Sequence, residues 1–176
     1  FGAPCTPLVK VGDQVKVGQK IGEFRGLGAP IHASVSGKVK AVEPRPYSMG
    51  VNMMSVVIEN DFQDELSEEV QAPADPDALT VDEMVEIVKN AGIVGMGGAG
   101  FPTHVKLTVK EPEKINFVIA NGAECEPYIT CDDQLMRTHA KEIVAGMELI
   151  LRLFPNAKGI VVIENNKPKA IAAMEE

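Results

Sequence analysis

Residues 115–127 read Ile-Asn-Phe-Val-Ile-Ala-Asn-Gly-Ala-Glu-Cys-Glu-Pro, a short apolar run that ends in an amide and two acids. The apolar part, residues 115–120, predicts a buried strand. Residues 159–163 predict a second buried strand, and residues 138–154 between them carry apolar side chains at helical spacing. Strand, helix and strand in this order form a βαβ unit, so the second half of the chain predicts an α/β fold with a parallel sheet.

Polar side chains follow both predicted strands. Ligands of parallel sheets bind beyond the carboxyl ends of the strands, so these side chains are candidate ligand contacts. The first strand runs into Asn121, Gly122, Glu124 and Glu126, and the second runs into Glu164, Asn165, Asn166 and Lys167.

A glycine-rich stretch lies upstream, where residues 95–103 read Gly-Met-Gly-Gly-Ala-Gly-Phe-Pro-Thr and Lys106 follows. Such a stretch can bring backbone N–H groups up to an anion, and the helix predicted to begin at residues 101–103, with Pro near its first position, would add its N-terminal N–H groups. Lys106 would add a positive charge in an acidic chain. The stretch satisfies G-x-G-x-x-G, but it follows a helix rather than a strand, which excludes the dinucleotide fingerprint of that motif.

The same residues have structural interpretations. The glycine stretch fits a tight connection, and Lys106 fits a solvated surface. The pair Glu124 and Glu126 fits acids at a helix N-terminus, and Asn121 with Gly122 fits a turn. Cys125 and Cys131 are expected to be small buried side chains.

The first half of the chain has a different pattern. Residues 9–14 are echoed by residues 15–20, and strands are predicted at residues 21–24, 31–35, 39–42 and 53–58. Residues 61–79 are acidic and fit a linker or a surface crossing. Thr80 and Glu83 form a capping box for a helix that ends at residues 90–92. We therefore expect a β module at 1–60, a linker at 61–79 and an α/β domain at 80–176.

Composition excludes several classes of protein. The net charge of −8 excludes a general nucleic-acid footprint, and no apolar run approaches the length of a membrane span. Three cysteines at irregular spacing indicate a reducing compartment, and the three histidines show no metal-ligand spacing, so no metal site is expected. The sequence starts at Phe1 and stops within a charged stretch, residues 174–176, so we expect the chain to be a piece of a longer protein.

These motifs resemble a known family. Residues 97–103 with Lys106, and the Asn-x-x-Glu-x-Glu-Pro of residues 121–127, are similar to the FMN- and NADH-binding fold of the flavoprotein subunit of respiratory complex I. Nearly the whole chain resembles the C subunit of the Rnf (Rsx) electron transport complex, including residues 2–5, the Val-Lys-Val-Gly repeat and residues 32–39. The resemblance implies a mixed fold: an all-β barrel-sandwich module similar to lipoyl and biotinyl domains, then a truncated α/β parallel-sheet flavin-binding domain.

The resemblance also implies a function. The expected function is hydride transfer between nicotinamide and non-covalently bound FMN, which requires no catalytic acid or base. Electrons would then pass to 4Fe-4S clusters in a C-terminal part of the parent outside this chain. By resemblance, the cofactor-binding residues are Gly97, Gly98, Gly100, Phe101, Lys106, Asn121, Glu124, Glu126 and Asn166.

Expected partners are NAD(H) and the other subunits of an ion-translocating membrane complex, with the protein peripheral at the cytoplasmic face of the bacterial inner membrane. The complex I pattern has Arg at the position of Met96 and Asp at that of Ala123, and we expect residues 1–176 alone to bind flavin poorly or not at all. The lipoyl-like module has no Lys in residues 24–29, so it is interpreted as structural. Two alternatives stay open: a cobalamin reductase of bacterial microcompartments and a non-enzymatic scaffold.

Overall fold

The computed structural model describes residues 4–47, 50–96 and 100–176, which form two compact units, residues 1–106 and 107–176. Gly97 and Gly98 lie outside the described residues. None of the helices in the described parts combines the length and hydropathy that a membrane-spanning segment needs.

The first unit is built on two three-stranded antiparallel sheets. In spatial order, one contains β1 (Thr6–Pro7), β3 (Lys20–Glu23) and β4 (Ile31–His32), and the other contains β2 (Gln14–Val15), β5 (Gly37–Pro46) and β6 (Asn52–Asn60). Val15, Ile21, Ala33 and Val39 form its buried core. The predicted strand at residues 31–35 is shorter than expected, and β5 and β6 are longer, forming a hairpin whose far end leaves the core.

The sequence echo in residues 9–20 produces two matching turns. Gly12 and Gly18 both have positive φ, +98° and +80°. In each turn the side chain of the next residue accepts a hydrogen bond from a backbone N–H three residues earlier: Asp13 from Lys10 at 3.0 Å, and Gln19 from Lys16 at 3.1 Å. The repeated letters therefore encode a repeated turn, because glycine adopts positive φ without steric cost.

The acidic segment after β6 runs along the surface of the β module. The Ser36 hydroxyl donates to Asp61 at 2.6 Å and accepts from the N–H of Glu65 at 3.1 Å. The backbone of Val17 pairs with Glu65 and Ser67 on either side of Leu66. These contacts fix residues 61–67 to the module.

Helix α1 (Val81–Asn90) begins and ends as the sequence predicts. The Thr80 hydroxyl and the Glu83 carboxylate exchange hydrogen bonds with each other's backbone N–H groups, which confirms the capping box. At the other end, Gly92 has φ +69°. The N–H of Gly92 donates to the carbonyl of Lys89, and the N–H of Ile93 donates to the carbonyl of Val88. This is a Schellman motif. Helix α2 (Thr103–Leu107) follows the glycine stretch and starts one residue after Pro102.

The second unit contains the predicted βαβ unit, and its two strands pair in parallel as expected. The helix predicted over 138–154 is present as α4 (Ala140–Leu151), so only its predicted bounds are wrong, by two residues at the start and three at the end. It starts at Ala140 because the backbone of His139 (φ −135°, ψ 34°) is not helical, and this residue separates it from α3 (Cys131–Thr138). The elements are β7 (Phe117–Gly122), α3 (Cys131–Thr138), α4 (Ala140–Leu151), β8 (Lys158–Ile163) and α5 (Pro168–Glu175).

The prediction that both strands are buried is also wrong. Helices α3 and α4 contact this sheet, and a Cβ on Gly159 would lie 3.0 Å from Met147 of α4. Large apolar side chains of both strands are exposed to solvent. In β7, Phe117 is 56% exposed and Ile119 is 60% exposed, and in β8 both Ile160 and Val162 are exposed. An apolar run alone does not say how many faces of a sheet are covered.

Candidate functional site

The predicted site residues belong to two units. Those of the first unit are Gly100, Phe101 and Lys106, and those of the second are Asn121, Glu124, Glu126 and Asn166.

The glycine stretch of the first unit is closed at its base by backbone pairing. Val94 and Pro102 form an antiparallel bridge. The N–H of Gly95 donates to the carbonyl of Phe101 at 2.9 Å, and the N–H of Thr103 donates to that of Ile93 at 3.0 Å. Gly100 is buried and has φ +65°, a conformation that favours glycine. The stretch is therefore a loop with a fixed base.

Phe101 and Lys106, both in the first unit, lie close together. The Lys106 ammonium lies 5.9 Å from the centroid of the Phe101 ring, within the range of a cation–π contact. Both residues are exposed. The pair offers a positive charge and an apolar ring to a ligand at the end of the loop.

Asn121 stands at the carboxyl end of β7 and is exposed. Its side-chain oxygen accepts a 3.1 Å hydrogen bond from the N–H of Ala123, an Asx turn that ends the strand. The turn uses only the acceptor of the amide, so the turn and ligand interpretations are compatible. A Cβ on Gly122 would lie 2.9 Å from the sulfur of Met136 and 3.0 Å from the carbonyl oxygen of Val162, so the chain needs glycine there.

Glu124 is buried, with 3% of its side chain exposed, and its carboxylate binds the N-terminus of α3. One oxygen accepts from the N–H of Asp132 at 2.8 Å and from the Cys131 thiol at 3.2 Å, and the other accepts from the N–H of Asp133 at 3.2 Å. The Lys167 ammonium lies 3.6 Å away. Glu124 thus acts as an acid at a helix N-terminus, although that helix begins seven residues later.

These contacts set the charge state of Glu124. Burial alone would raise the pKa of the carboxyl, but the hydrogen bonds from Asp132, Cys131 and Asp133 and the charge of Lys167 outweigh it, so the pKa lies below its usual value. The hydrogen bond to Glu124, followed by burial, raises the pKa of the Cys131 thiol.

Glu126 and Asn166 are both exposed. Glu126 lies in the turn after β7, where its carbonyl accepts from the N–H of Ile129 at 3.3 Å. Asn166 lies in the turn after β8, where the N–H of Lys167 donates to the carbonyl of Glu164 at 3.1 Å. The contact between Glu124 and Lys167 joins these two turns at the carboxyl edge of the sheet.

The expectation of buried thiols is wrong, since Cys125 and Cys131 are both exposed. Cys131 lies at the first position of α3, where its thiol donates a hydrogen bond to the Glu124 carboxylate. Ligand-type atoms of Glu124, Cys131 and Asp132 lie within 4.8 Å of one another. The nearby positive charge of Lys167 and the N–H groups of α3 already satisfy this carboxylate.

Sequence reasoning missed α3 and the part played by Lys167. A signal for α3 was present, because Asp132 and Asp133 are acids in a first helical turn. The position of Lys167 had no local signal, since its partner lies 43 residues away.

Comparison with known proteins identifies both halves of the chain. Residues 1–63 match a family model described as the RnfC barrel sandwich hybrid domain, and residues 88–176 match one described as the Nuo51 FMN-binding domain. The resemblance and the fold class predicted from the sequence are confirmed.

Curated relatives extend over nearly the whole chain. The C subunit of a Na(+)-translocating ferredoxin:NAD(+) oxidoreductase complex of Acetobacterium woodii is 48% identical over 99% of the chain. The C subunit of a proton-translocating ferredoxin:NAD(+) oxidoreductase complex of Clostridium ljungdahlii is 44% identical over 100% of it. The C subunit of an ion-translocating oxidoreductase complex of Vibrio cholerae is 42% identical over 96% of it.

The chain spans 40%, 39% and 22%, respectively, of the lengths of these relatives. The FMN-binding model covers half of the chain, and it includes the glycine loop and both strand-end turns. The chain therefore belongs to the Nuo51 FMN-binding domain family, in the form found in C subunits of Rnf-type ion-translocating oxidoreductase complexes, where an RnfC barrel-sandwich domain precedes it.

Proposed function

We propose that this chain supplies the FMN- and NADH-binding part of an ion-translocating ferredoxin:NAD oxidoreductase complex. The observation that carries the proposal is the match of residues 88–176 to an FMN-binding domain. The match contains Phe101 and Lys106 as well as the turns that follow β7 and β8.

The described residues fit such a cofactor. Lys106 provides an exposed cation suited to a phosphate, and Gly100 provides backbone that no Cβ shields. Asn121 and Glu126 provide exposed polar groups beyond the carboxyl end of β7, where an α/β sheet binds ligands. In this assignment Gly97, Gly98, Gly100 and Lys106 hold the phosphate end, Asn121 and Asn166 line the ring end, and Phe101 and Glu126 face the nicotinamide nucleotide.

Bound FMN would supply a hydride acceptor and a one-electron donor, chemistry that no side chain of this protein has. The residues would orient the two rings and exclude water between them, and no acid or base is needed for a direct hydride transfer. Glu124 would hold the turn after β7 in place through α3 rather than contact the ligand. Its two oxygens already accept hydrogen bonds from Asp132 and Asp133.

The remaining parts of the proposal concern the assembly. Ion-translocating complexes act at membranes, so the protein would be peripheral at the cytoplasmic face and bind other subunits and NAD(H). The 4Fe-4S clusters would lie outside residues 1–176. Within the chain, the β module would cover residues 1–60, the acidic crossing 61–79 and the flavin-binding part 80–176.

The test uses the protein purified from the cells that make it. After denaturation it should release about one FMN per chain, identified by chromatography and fluorescence. Under anaerobic conditions NADH should bleach the flavin absorbance. A preparation without flavin, before and after reconstitution with FMN, would overturn the proposal. Residues 1–176 alone serve as a second sample. They should bind FMN weakly, because Met96 and Ala123 replace an Arg and an Asp of the complex I pattern and leave fewer polar side chains for the cofactor.

A substitution then tests the phosphate contact. Lys106→Met should weaken binding of FMN about tenfold, since a charge-assisted hydrogen bond is lost. It should leave binding of riboflavin, which lacks the phosphate, unchanged. Lys110→Met, which replaces an exposed lysine in the same stretch of chain, is the matched control. An equal loss for both ligands would place Lys106 away from the phosphate.

A further inference from the structure

We propose that the hairpin of β3 and β4 holds the base of the glycine loop in its binding conformation, with Phe24 as a positioning residue. The proposal rests on the proposed function in one respect, namely that this loop binds FMN. The hairpin and the loop belong to the same compact unit. Two contacts between them, and backbone pairing across the base of the loop, support the proposal.

The first contact holds the exit of the loop. The Phe24 ring, in the turn after β3, packs against the His104 ring of α2 with centroids 5.9 Å apart and planes tilted by 46°. Tilted aromatic pairs at this separation are favourable. The ring also meets Gly28 of its own hairpin, where an added Cβ would lie 3.3 Å from a ring carbon of Phe24. The ring is therefore fixed by its own hairpin as well.

The second contact holds the entry to the loop. Gly92 ends α1, three residues before Gly95, and it packs against the hairpin. A Cβ there would lie 2.7 Å from the carbonyl oxygen of Pro30 and 3.2 Å from the His32 ring. Glycine is required at this position for two reasons: a Cβ would clash with the hairpin, and the backbone has a φ of +69°.

Backbone pairing across the base joins the entry of the loop to its exit. The bridge between Val94 and Pro102 and the bond from the N–H of Gly95 to the carbonyl of Phe101 tie the two sides of the loop together. The same hairpin thus supports both ends of a closed base. Fixing a binding loop before the ligand arrives lowers the entropy lost on binding, so the hairpin would raise affinity for FMN without contacting it.

The test compares Phe24→Ala with Phe62→Ala, because Phe62 belongs to the same unit and is 82% exposed. Hydrogen exchange of residues 93–105 is measured in the flavin-free protein, and FMN affinity is measured by titration of the full-length protein. Phe24→Ala should speed exchange at Gly95 and Thr103 and weaken FMN binding up to about tenfold. Phe24→Tyr, which keeps the ring, should restore both values, and Phe62→Ala should change neither.

The outcomes separate the two proposals. Unchanged exchange at residues 93–105 in Phe24→Ala overturns the positioning role, whatever the flavin does. Faster exchange with unchanged FMN affinity overturns the link to binding. A wild-type protein that binds no FMN overturns the proposed function, while the exchange measurement still decides whether the hairpin orders the loop. If Phe24→Ala does not fold, Phe24→Leu tests the same contact with less loss of volume.

Discussion

The carboxylate of Glu124 accepts a 2.8 Å hydrogen bond from the backbone N–H of Asp132, eight residues further along the chain. This bond ties the turn that ends β7 to the first turn of α3. Because the N-terminus of a helix carries a partial positive charge, the ionised form of Glu124 is the form that fits.

The pH dependence of stability follows from this charge. The pKa of Glu124 is lower in the folded protein than in the unfolded chain, so its contribution is complete above the ordinary pKa of a glutamate, about 4.3. It is lost as the pH falls through the folded-state pKa. Urea unfolding from pH 7 to pH 3 should show Glu124→Gln less stable than wild type at neutral pH, with the difference shrinking in acid. Glu126→Gln, an exposed control, should follow wild type throughout.

The thiol of Cys131 should react slowly because Glu124 raises its pKa. At pH 8, alkylation of Cys131 by iodoacetamide should be faster in Glu124→Gln than in wild type, since the variant lacks the negative charge. Peptide mass spectrometry separates this site from Cys125, whose rate should stay the same. Equal rates at Cys131 in both proteins would show that the hydrogen bond does not hold in solution.

Two glycines of the second unit should respond in opposite ways to alanine. Gly122→Ala places a methyl group against Met136 and the carbonyl of Val162 and should cost about 1–3 kcal/mol of unfolding free energy. Gly146, within α4, has nothing within 4 Å of a new Cβ. Gly146→Ala should stabilise by about 0.5–1 kcal/mol, because alanine favours a helix. Urea unfolding followed by circular dichroism measures both.

Among the glycines that the structure describes in the first unit, Gly37→Ala should be the most damaging substitution. Gly37 has φ +144°, and a Cβ would lie 2.0 Å from the carbonyl oxygen of Glu59, which is held in the β5–β6 ladder. Gly12→Ala separates strain from clash, since Gly12 also has positive φ but open space around it. In urea unfolding we expect about 1–3 kcal/mol for Gly12→Ala from backbone strain, and a further loss of about 1–3 kcal/mol for Gly37→Ala. Equal losses would mean that the backbone of β6 shifts at Glu59 and makes room for the new methyl group.

Features encoded within a few residues were predictable from the sequence. The capping box of Thr80 and Glu83 and the helix end at Gly92 each depend on a local pattern, and the structure has both. The parallel pairing of β7 with β8 was also predictable, because a crossover helix leaves that arrangement as the usual one.

Features that depend on distant partners were not predictable. The break at His139 has no glycine or proline beside it to mark it in the sequence. The position of Glu124 depends on α3 and on Lys167, and a single sequence gives no sign of that pairing. The exposed face of Phe117 and Ile119 depends on how many layers cover the sheet, which an apolar run does not encode.

The parallel pairing also has a consequence for how the protein is made. Strand β7 begins at Phe117 and its partner β8 begins at Lys158, so the ribosome must add about 40 residues before the ladder can close, which takes roughly 2–8 s at bacterial and eukaryotic rates of synthesis. During that interval the backbone N–H and C=O groups of β7 have no partner strand, so this edge stays open to pairing with another chain. Strand β6 begins only six residues after β5 ends, so the β5–β6 hairpin can pair after a much shorter interval than β7 with β8.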